Sequence, residues 1–247
     1  MQNKERIAKR MAALGLCSRR EAERWIEEGR VAVNGKTLTT PATLVSAEDV
    51  IAVDGQTLKN TSLTPSVRVW KYYKPEGLVT SHKDEKGRPT VFDRLPEHLP
   101  RVISVGRLDL NSEGLLLLTT SGELSRALEL PSNMQKRTYR VRVKGQPTDG
   151  QLAKLKRGIT VEGVEYQPII AAMETTKTEG RNRWLNVTLT EGKNREIRRV
   201  FDHLDLPVSR LIRIAYGPFK LDALKIGAVE EIPHWQIEQL MKKLKVA

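Results

Sequence analysis

Near the start of the chain, apolar residues recur every three or four positions, which is the period of an amphipathic helix. This spacing predicts two short helices. Their apolar positions are Ile7, Met11 and Leu14 in the first helix and Ala22, Trp25 and Ile26 in the second. Gly15 ends the first helix. Ser18, with Glu21 three residues later, is a capping box that begins the second helix, which ends at Gly29.

Strand-like stretches follow these helices. The predicted strands are 31–33, 43–45 and 50–53. Asn34-Gly35 is a strong hairpin signal, and Asp54-Gly55 marks a second turn. Residues 1–60 are therefore predicted to form a self-contained small domain, followed by a linker at 61–66 that is poor in apolar residues.

From residue 67 to residue 247, strands outnumber helices. The predicted strands are 67–73, 101–105, 115–119, 139–143 and 184–189. The predicted helices are one that Thr120 and Glu123 cap and that runs to about residue 130, and two more at 194–203 and 234–244. The strand at 115–119 is apolar enough for a central place in a sheet, whereas 139–143 and 184–189 alternate like half-buried antiparallel strands. This order favours an α+β fold with a mainly antiparallel, mixed sheet.

Net charge narrows the class of partner. The formal charge is +12, although the 39% hydrophobic content is ordinary for a globular protein. A basic excess fits either a well-solvated surface or a polyanionic partner, because neutralising phosphates releases counterions. We favour nucleic acid. A membrane surface fits less well, because no stretch approaches the roughly 20 apolar residues of a membrane span.

The inventory of reactive side chains is short. Cys17 is the single cysteine and the four histidines are scattered, so no disulfide, metal site or other cofactor is predicted. The first residues lack the apolar core of a signal peptide. We therefore expect a cytoplasmic protein, and a monomer.

Basic residues fall on the outer faces of the two predicted amino-terminal helices. They are Lys9, Arg10, Arg19, Arg20, Arg24 and Arg30. Such charges usually only solvate a helix, yet two short helices with a hairpin also suit RNA that is recognised by shape and phosphate. The run C-S-R-R-E-A-E-R-W-I-E-E-G-R-V-A-V-N-G-K resembles the RNA-binding module of small-subunit ribosomal protein four. That resemblance implies binding to structured RNA.

Three local features of the larger domain are candidates for chemistry. They are Gly106-Arg107-Leu108-Asp109, Tyr139, and the basic stretch E-G-K-N-R-E-I-R-R at 191–199. Each has a purely structural reading, as a turn, a buried strand aromatic and a solvated helix start. Because no Ser-His-Asp set, Cys-His set or phosphate-binding glycine loop stands out, a mechanism would have to use a carboxylate. An arginine partner would keep that carboxylate ionised.

Five ordered motifs of the chain closely resemble the RsuA-type ribosomal pseudouridine synthases. They are K-Y-Y-K-P-E-G-L-V-T-S, V-G-R-L-D-L-N-S-E-G-L-L-L-L-T-T-S-G-E-L, K-R-T-Y-R-V-R-V, E-G-K-N-R-E-I-R-R and L-I-R-I-A-Y-G-P-F. The resemblance implies that the protein isomerises a uridine of ribosomal RNA to pseudouridine, without a cofactor. Its partner would be ribosomal RNA or a ribosomal assembly intermediate.

The resemblance also implies roles for individual residues. Asp109 would be the catalytic aspartate, Tyr139 would pack on the flipped uracil, and Arg198 would pair with Asp109. The residues implied to bind RNA or line the pocket are Arg107, Lys193, Arg195, Ile212 and Arg213.

Two alternatives stay open. The motif wording is closer to large-subunit members, but the same chemistry on small-subunit ribosomal RNA or on a tRNA is the first rival. The second is a non-catalytic RNA-binding assembly factor with the same fold. The joint presence of Asp109, Tyr139 and Arg198 argues against that second rival.

Overall fold

The structure, a computed structural model, describes residues 4–58, 66–175 and 182–246. The chain divides into two compact units. The smaller unit comprises Met1–Arg68, His98–Val102 and Thr120–Gly122, and the larger comprises Val69–Glu97, Ile103–Thr119 and Glu123–Ala247. Apart from residue 66, the predicted linker at 61–66 lies outside the described residues.

The smaller unit contains two helices and two small sheets. Its elements are β1 (Glu5–Arg6), α1 (Ile7–Ala13), α2 (Arg19–Glu27), β2 (Val31–Val33), β3 (Lys36–Thr37), β4 (Leu44–Val45), β5 (Ile51–Val53) and β6 (Gln56–Thr57). Strand β1 pairs with β4, and the other strands form a sheet in the order β3-β2-β5-β6. The helices and sheets enclose one apolar core that includes Ile7, Met11, Ile26 and Ile51.

The capping box and the hairpin turn of this unit are both confirmed. The Ser18 hydroxyl accepts the Glu21 N–H at 3.1 Å, and the Glu21 carboxylate accepts the Ser18 N–H at 3.3 Å. Asn34 and Gly35 have φ values of +50° and +79°, which the tight turn between β2 and β3 requires.

One predicted surface position in this unit is wrong. Arg10 is only 6% exposed, with Nη1 3.5 Å from the Glu5 carboxylate. It follows Ile7 by three positions in α1, so it lies on the same inward face as the apolar residues. Arg10 is therefore not an exposed RNA-binding residue.

The larger unit is built on one nine-stranded sheet. Its strands and helices are β7 (Val69–Lys74), β8 (Ile103–Val105), β9 (Glu113–Thr119), α3 (Gly122–Glu129), β10 (Arg137–Lys144), α4 (Asp149–Arg157), β11 (Ile159–Val161), β12 (Val164–Tyr166), β13 (Ile170–Met173), β14 (Asn182–Leu189), α5 (Glu196–His203), β15 (Val208–Tyr216), β16 (Phe219–Lys220), β17 (Val229–Glu231) and α6 (His234–Leu244). Short 3₁₀ turns occur at Phe92–Arg94 and Pro131–Asn133.

The sheet runs in the order β13-β14-β10-β15-β9-β7-β17, with β16 on β15 and β8 on β9. Every pairing between its strands is antiparallel except that of β15 with β9. The predicted α+β class with a mainly antiparallel, mixed sheet is confirmed. The central place predicted for the Leu115–Leu118 run is also found, because all seven residues of β9 are buried.

The parallel contact between β9 and β15 depends on one glycine. Gly114 lies opposite Arg213 and has φ +103°. A β-carbon built on Gly114 would lie 2.3 Å from the Arg213 carbonyl oxygen, so no side chain fits here. This close approach places the loop that precedes β9 beside β15.

Two helices differ from the expectation, one in its amino-terminal cap and one in not having been predicted. The Thr120 hydroxyl accepts the Arg68 N–H at 3.1 Å, and helix α3 begins at Gly122, so Thr120 is not its cap. Helix α4 was not predicted, although Thr148 and Gln151 form a capping box at its start. Within the described parts of the chain, no helix combines the length and apolar character needed to cross a membrane.

Candidate active site

A cleft of about 640 Å³ opens in the larger unit. Its walls come from the loop between β8 and β9, from strands β10 and β15, and from the loop between β14 and α5. The charged lining residues are Arg107, Asp109, Glu129, Arg137, Glu191, Lys193, Arg195, Glu196 and Arg213. The cleft therefore combines five cationic side chains with four carboxyl groups.

Asp109 lies in the loop between β8 and β9 and lines this cleft. Its side chain is 33% exposed, and Oδ2 is 3.7 Å from Nη1 of Arg195. Its carbonyl oxygen accepts the Ser112 N–H at 3.0 Å, which closes a turn. Asp109 is thus both a turn residue and a carboxylate that reaches the cleft.

Lys74 fixes the backbone of this loop by hydrogen bonds. Its side chain is fully buried at the end of β7. Nζ donates to the carbonyl oxygens of Pro75 at 3.0 Å, Asp109 at 3.2 Å and Ser112 at 2.8 Å. Burial lowers the pKa of Lys74 to about 8. No role was predicted for Lys74, although its place beside a proline at a strand end was visible in K-Y-Y-K-P-E-G.

Arg198 does not form the predicted ion pair. Its Nη1 donates to the Val208 carbonyl at 3.1 Å, and its Nη2 donates to the Asn111 carbonyl at 2.6 Å. Burial lowers the pKa of Arg198, and the positive charge of Arg195 adds to this effect. Arg198 therefore braces the loop that carries Asp109, while Arg195 is the guanidinium within ion-pair distance of the Asp109 carboxylate.

Tyr139 and Arg213 face each other across the β10–β15 pair, and both line the cleft. Tyr139 is 9% exposed and Arg213 is 2% exposed. Arg213 donates from Nε to the Leu115 carbonyl at 2.7 Å, and its guanidinium lies 5.1 Å from the centre of the Tyr216 ring. The buried Arg213 is thus held by the backbone of β9 and by the Tyr216 ring.

Ile212 is not among the residues that line the cleft. Side chains alternate along a strand, so Leu211 and Arg213 point into the cleft and Ile212 points to the opposite face of the sheet. Ile212 pairs with Arg140, which also lies outside the cleft. Arg107 is exposed and lines the cleft, as a residue contacting a bound polymer would.

The loop between β14 and α5 supplies Lys193 and Arg195, which are both exposed. Lys193 Nζ contacts Oε2 of Glu191, and Arg195 has a left-handed backbone with φ +51° just before α5. Glu196 is only 4% exposed. Burial raises the pKa of Glu196 to about 8, and the neighbouring Glu191 adds to the rise. No role was predicted for either glutamate.

The basic residues of the smaller unit differ in their exposure and in their ion pairs with glutamates. Lys9 is 3.2 Å from Glu5, and Arg24 is 3.8 Å from Glu21 and 3.6 Å from Glu28. Arg19 and Arg20 are exposed at the start of α2. Lys9, Arg19, Arg20 and Arg24 are accessible to a polyanion, in contrast to Arg10.

The cleft offers carboxyl groups beside cationic side chains, with Asp109 within ion-pair distance of Arg195. Within residues 4–58, 66–175 and 182–246, no three His, Cys, Asp or Glu side chains come together as a metal-binding group. Asp109 can act as a nucleophile or a general base, Tyr139 offers an aromatic ring, and the arginines suit phosphate oxygens.

Comparison with known proteins gives two family matches. A family model described as RNA pseudouridylate synthase matches residues 68–203, and one described as S4 domain matches residues 5–51.

Relatives and solved structures agree with these matches. A protein from Rickettsia felis named "Uncharacterized RNA pseudouridine synthase" is 50% identical over 95% of this chain and 100% of its own length. The "Ribosomal large subunit pseudouridine synthase B" of Salmonella typhi is 46% identical over 88% of this chain and 75% of its own length. A solved structure titled "Crystal structure of pseudouridylate synthase" superposes with a TM-score of 0.66 at 28% identity, covering 95% of this chain and 99% of that one.

Proposed function

The chain belongs to the RNA pseudouridylate synthase family, and from this premise we propose that it isomerises one uridine of large-subunit ribosomal RNA, with Asp109 as the catalytic group. The observation that carries the proposal is the position of the Asp109 carboxylate. It reaches a cleft that also contains Tyr139, Arg213 and four other cationic side chains.

The reaction needs only groups of the kind found in the cleft. The bond between ribose carbon 1′ and uracil N1 breaks, the base rotates, and a bond from carbon 1′ to carbon 5 forms. Carbon 5 loses a proton and N1 gains one, so no atom is gained or lost overall. Asp109 serves this sequence by attacking carbon 1′ or by assisting departure of the base.

The target uridine must leave its stack before the carboxylate can reach it. Unstacking costs a few kcal/mol, and less in a loop or bulge than in a duplex. Stacking of the uracil on the Tyr139 ring offsets part of this cost. Arg107, exposed at the cleft, is placed to bind the phosphate of the extruded nucleotide.

Ribosomal RNA of the large subunit is favoured as the substrate by the relatives. The Salmonella typhi protein that is 46% identical carries that substrate in its name. The S4 domain match at residues 5–51, with exposed Arg19 and Arg20, supports binding to structured RNA. A cytoplasmic location follows from that substrate. Small-subunit ribosomal RNA or a tRNA is the alternative.

Pseudouridine mapping tests the proposal. Total RNA from a strain that lacks the gene is compared with RNA from strains complemented by wild type, by Asp109→Ala, or by Asp202→Ala. Asp202 is an exposed carboxylate on α5, outside the cleft, and is a matched control. Carbodiimide-based primer extension should show one large-subunit site that wild type and Asp202→Ala restore and Asp109→Ala does not. Restoration by Asp109→Ala, or a site in another RNA, would contradict the proposal.

A further inference from the structure

Two carboxyl groups flank the loop that joins β14 to α5. Glu191, at its start, is partly buried, and Glu196, the first residue of α5, is buried. Glu196 closes this loop in two ways. Its Oε2 accepts the Lys193 N–H at 3.0 Å, and its own N–H donates to the Lys193 carbonyl at 3.2 Å. The conformation of the loop therefore depends on the Glu196 side chain, and the loop carries both Lys193 and Arg195 into the cleft.

The two carboxyl groups differ in their donors. Glu191 Oε1 accepts the Gln167 N–H at 2.8 Å, and its Oε2 contacts Lys193 Nζ. Oε1 of Glu196 is buried and has no hydrogen-bond donor among the described residues. A proton on Glu196 Oε1 that is donated to Glu191 satisfies this oxygen and removes the repulsion between two buried charges.

The titration of the pair agrees with this placement of the proton. Burial, together with the hydrogen bond and the charge of Glu191, raises the pKa of Glu196 to about 8. Burial also raises the pKa of Glu191, but the donors Lys193 and Gln167 outweigh it, so the net shift is downward. The opposite directions of the two shifts favour a single proton on the pair, carried by Glu196.

We propose that Glu196 is a positioning residue, whose carboxyl proton, shared with Glu191, holds the 191–196 loop so that Lys193 and Arg195 face the cleft. The inference deepens the proposed function and rests on it in one respect, because Arg195 matters through its interaction with Asp109. Loss of the proton places two like charges side by side in a buried position. The loop must then move, and Arg195 no longer stays within 3.7 Å of the Asp109 carboxylate.

The other groups around the pair do not replace this proton. Arg137, from β10, donates to the carbonyls of Thr190 at 3.0 Å and Glu191 at 3.3 Å, and so binds backbone rather than carboxylate. Tyr166, from β12, lies under Lys193, with Nζ 5.5 Å from its ring centre. Of the strands packed on α5, β11 has no ionisable residue. Strand β15 contributes Arg213 and Tyr216 to the cleft, and its Arg210 pairs with Glu113.

The first experiment is a pH profile of single-turnover rates on the substrate RNA. Wild type and the control Asp202→Asn should slow roughly tenfold from about pH 7 to about one unit above the pKa of Glu196, where some nine-tenths of the group is ionised. Glu196→Gln stays neutral and can donate its amide N–H to Glu191, so its fall should be at least about threefold smaller. The fall in rate that Glu196→Gln still shows is assigned to deprotonation of Lys74, whose pKa is also about 8. Glu196→Ala should be slow at every pH.

An equal fall in Glu196→Gln and wild type would overturn the proposal. So would a Glu196→Ala protein as fast as Glu196→Gln at neutral pH, because the amide would then rescue nothing.

The second experiment does not depend on catalysis. Carboxyl ¹³C NMR of glutamate-labelled full-length protein should show one resonance with a midpoint near 8 in wild type and in Asp109→Asn, and none in Glu196→Gln. If Glu196→Gln does not fold, Glu191→Gln replaces it and should lower that midpoint by about one unit or more. Absence of any glutamate titrating above about pH 6 in wild type would overturn the proposal. If this resonance is present but Asp109→Asn modifies RNA normally, the proposed function fails instead.

Discussion

Lys74 and Asp109 are joined through the backbone, because Nζ of Lys74 donates to the Asp109 carbonyl at 3.2 Å. The same ammonium donates to the Ser112 carbonyl at 2.8 Å, so it spans the turn that presents the carboxylate. A strand end and a loop distant in sequence are thereby fixed to each other. The position of Asp109 depends on a residue that lies 35 positions earlier.

We expect Lys74→Met to lower the free energy of unfolding by about 2–4 kcal/mol, because three carbonyl oxygens lose their donor in a buried site. The rate of uridine isomerisation should fall as well, since the turn at Asp109 loosens. Urea unfolding and single-turnover rates measure the two effects. Lys71→Met is the control, because Lys71 pairs with the exposed Glu230 at 2.8 Å and its loss should cost under about 1 kcal/mol. Equal losses in the two variants would contradict this role of Lys74.

Substitution of Arg195 should lower the isomerisation rate alone, whereas substitution of Arg198 should lower both the rate and the stability. Arg195→Gln removes the cation near Asp109 from a side chain that is 46% exposed, so the rate should fall about tenfold or more with little change in stability. Arg198→Gln removes two bonds to carbonyls and should lower both stability and rate. A stability loss in Arg195→Gln as large as in Arg198→Gln would count against the separation.

Gly114→Ala should be among the most damaging single changes in the larger unit. The added methyl meets the Arg213 carbonyl at 2.3 Å, and φ +103° strains any other residue. The expected loss is about 2–5 kcal/mol, with the parallel pairing between β9 and β15 broken. Gly87→Ala is the control, because it has φ +67° and no atom within 4 Å of the new carbon. Its cost should stay near 1 kcal/mol in thermal unfolding. A Gly114→Ala protein no less stable than this control would refute the steric requirement for glycine.

In the smaller unit, Arg19→Ala combined with Arg20→Ala should weaken RNA binding. The salt slope of log K should fall by about one for each phosphate that these side chains neutralise. Arg24→Ala should weaken binding less, because Glu21 and Glu28 already compete for its guanidinium. Binding isotherms at several salt concentrations measure both effects, and the isomerisation rate at saturating RNA should change little. An unaltered salt slope in the double variant would exclude this surface as a phosphate-binding site.

The free energy of unfolding should decrease as pH rises, because folding raises the pKa of Glu196. The pKa of Glu196 is raised by folding, to about 8, so the folded state holds a proton that the unfolded chain releases near pH 4.5. The contribution of Glu196 is therefore complete below that lower value and is lost as pH rises towards about 8. Relative to Glu196→Gln, wild type should lose stability across this range. Parallel stability curves for the two proteins would contradict the raised pKa.

Local signals predicted the local structure well. The Ser18 capping box, the Asn34-Gly35 turn and the buried 115–118 run each depend on neighbours in sequence, and each is found. The α+β class followed from the order of such elements. The motif G-R-L-D also singled out Asp109, which lines the cleft, and its catalytic role stays a prediction.

The remaining errors come from geometry that is set over long distances. The left-handed turn at Arg195 directs Arg195 rather than Arg198 to Asp109. The alternation of β15 turns Ile212 away from the cleft, and the inward face of α1 buries Arg10. The carbonyls around Lys74 meet only when β7 and the loop between β8 and β9 come together, so no motif revealed them. Glu191 and Glu196 lie within one motif, but the burial of Glu196 is a property of the folded chain.

Release of the carbon 5 hydrogen tests the central claim most directly. Large-subunit ribosomal RNA from a strain that lacks the gene, labelled with tritium at carbon 5 of uridine, is incubated with excess purified enzyme. Wild type should release about one equivalent of tritium per RNA molecule at a single site, and Asp109→Asn should release none although it binds the RNA equally well. Release by Asp109→Asn at the wild-type rate would contradict the assignment of Asp109 as the catalytic carboxylate.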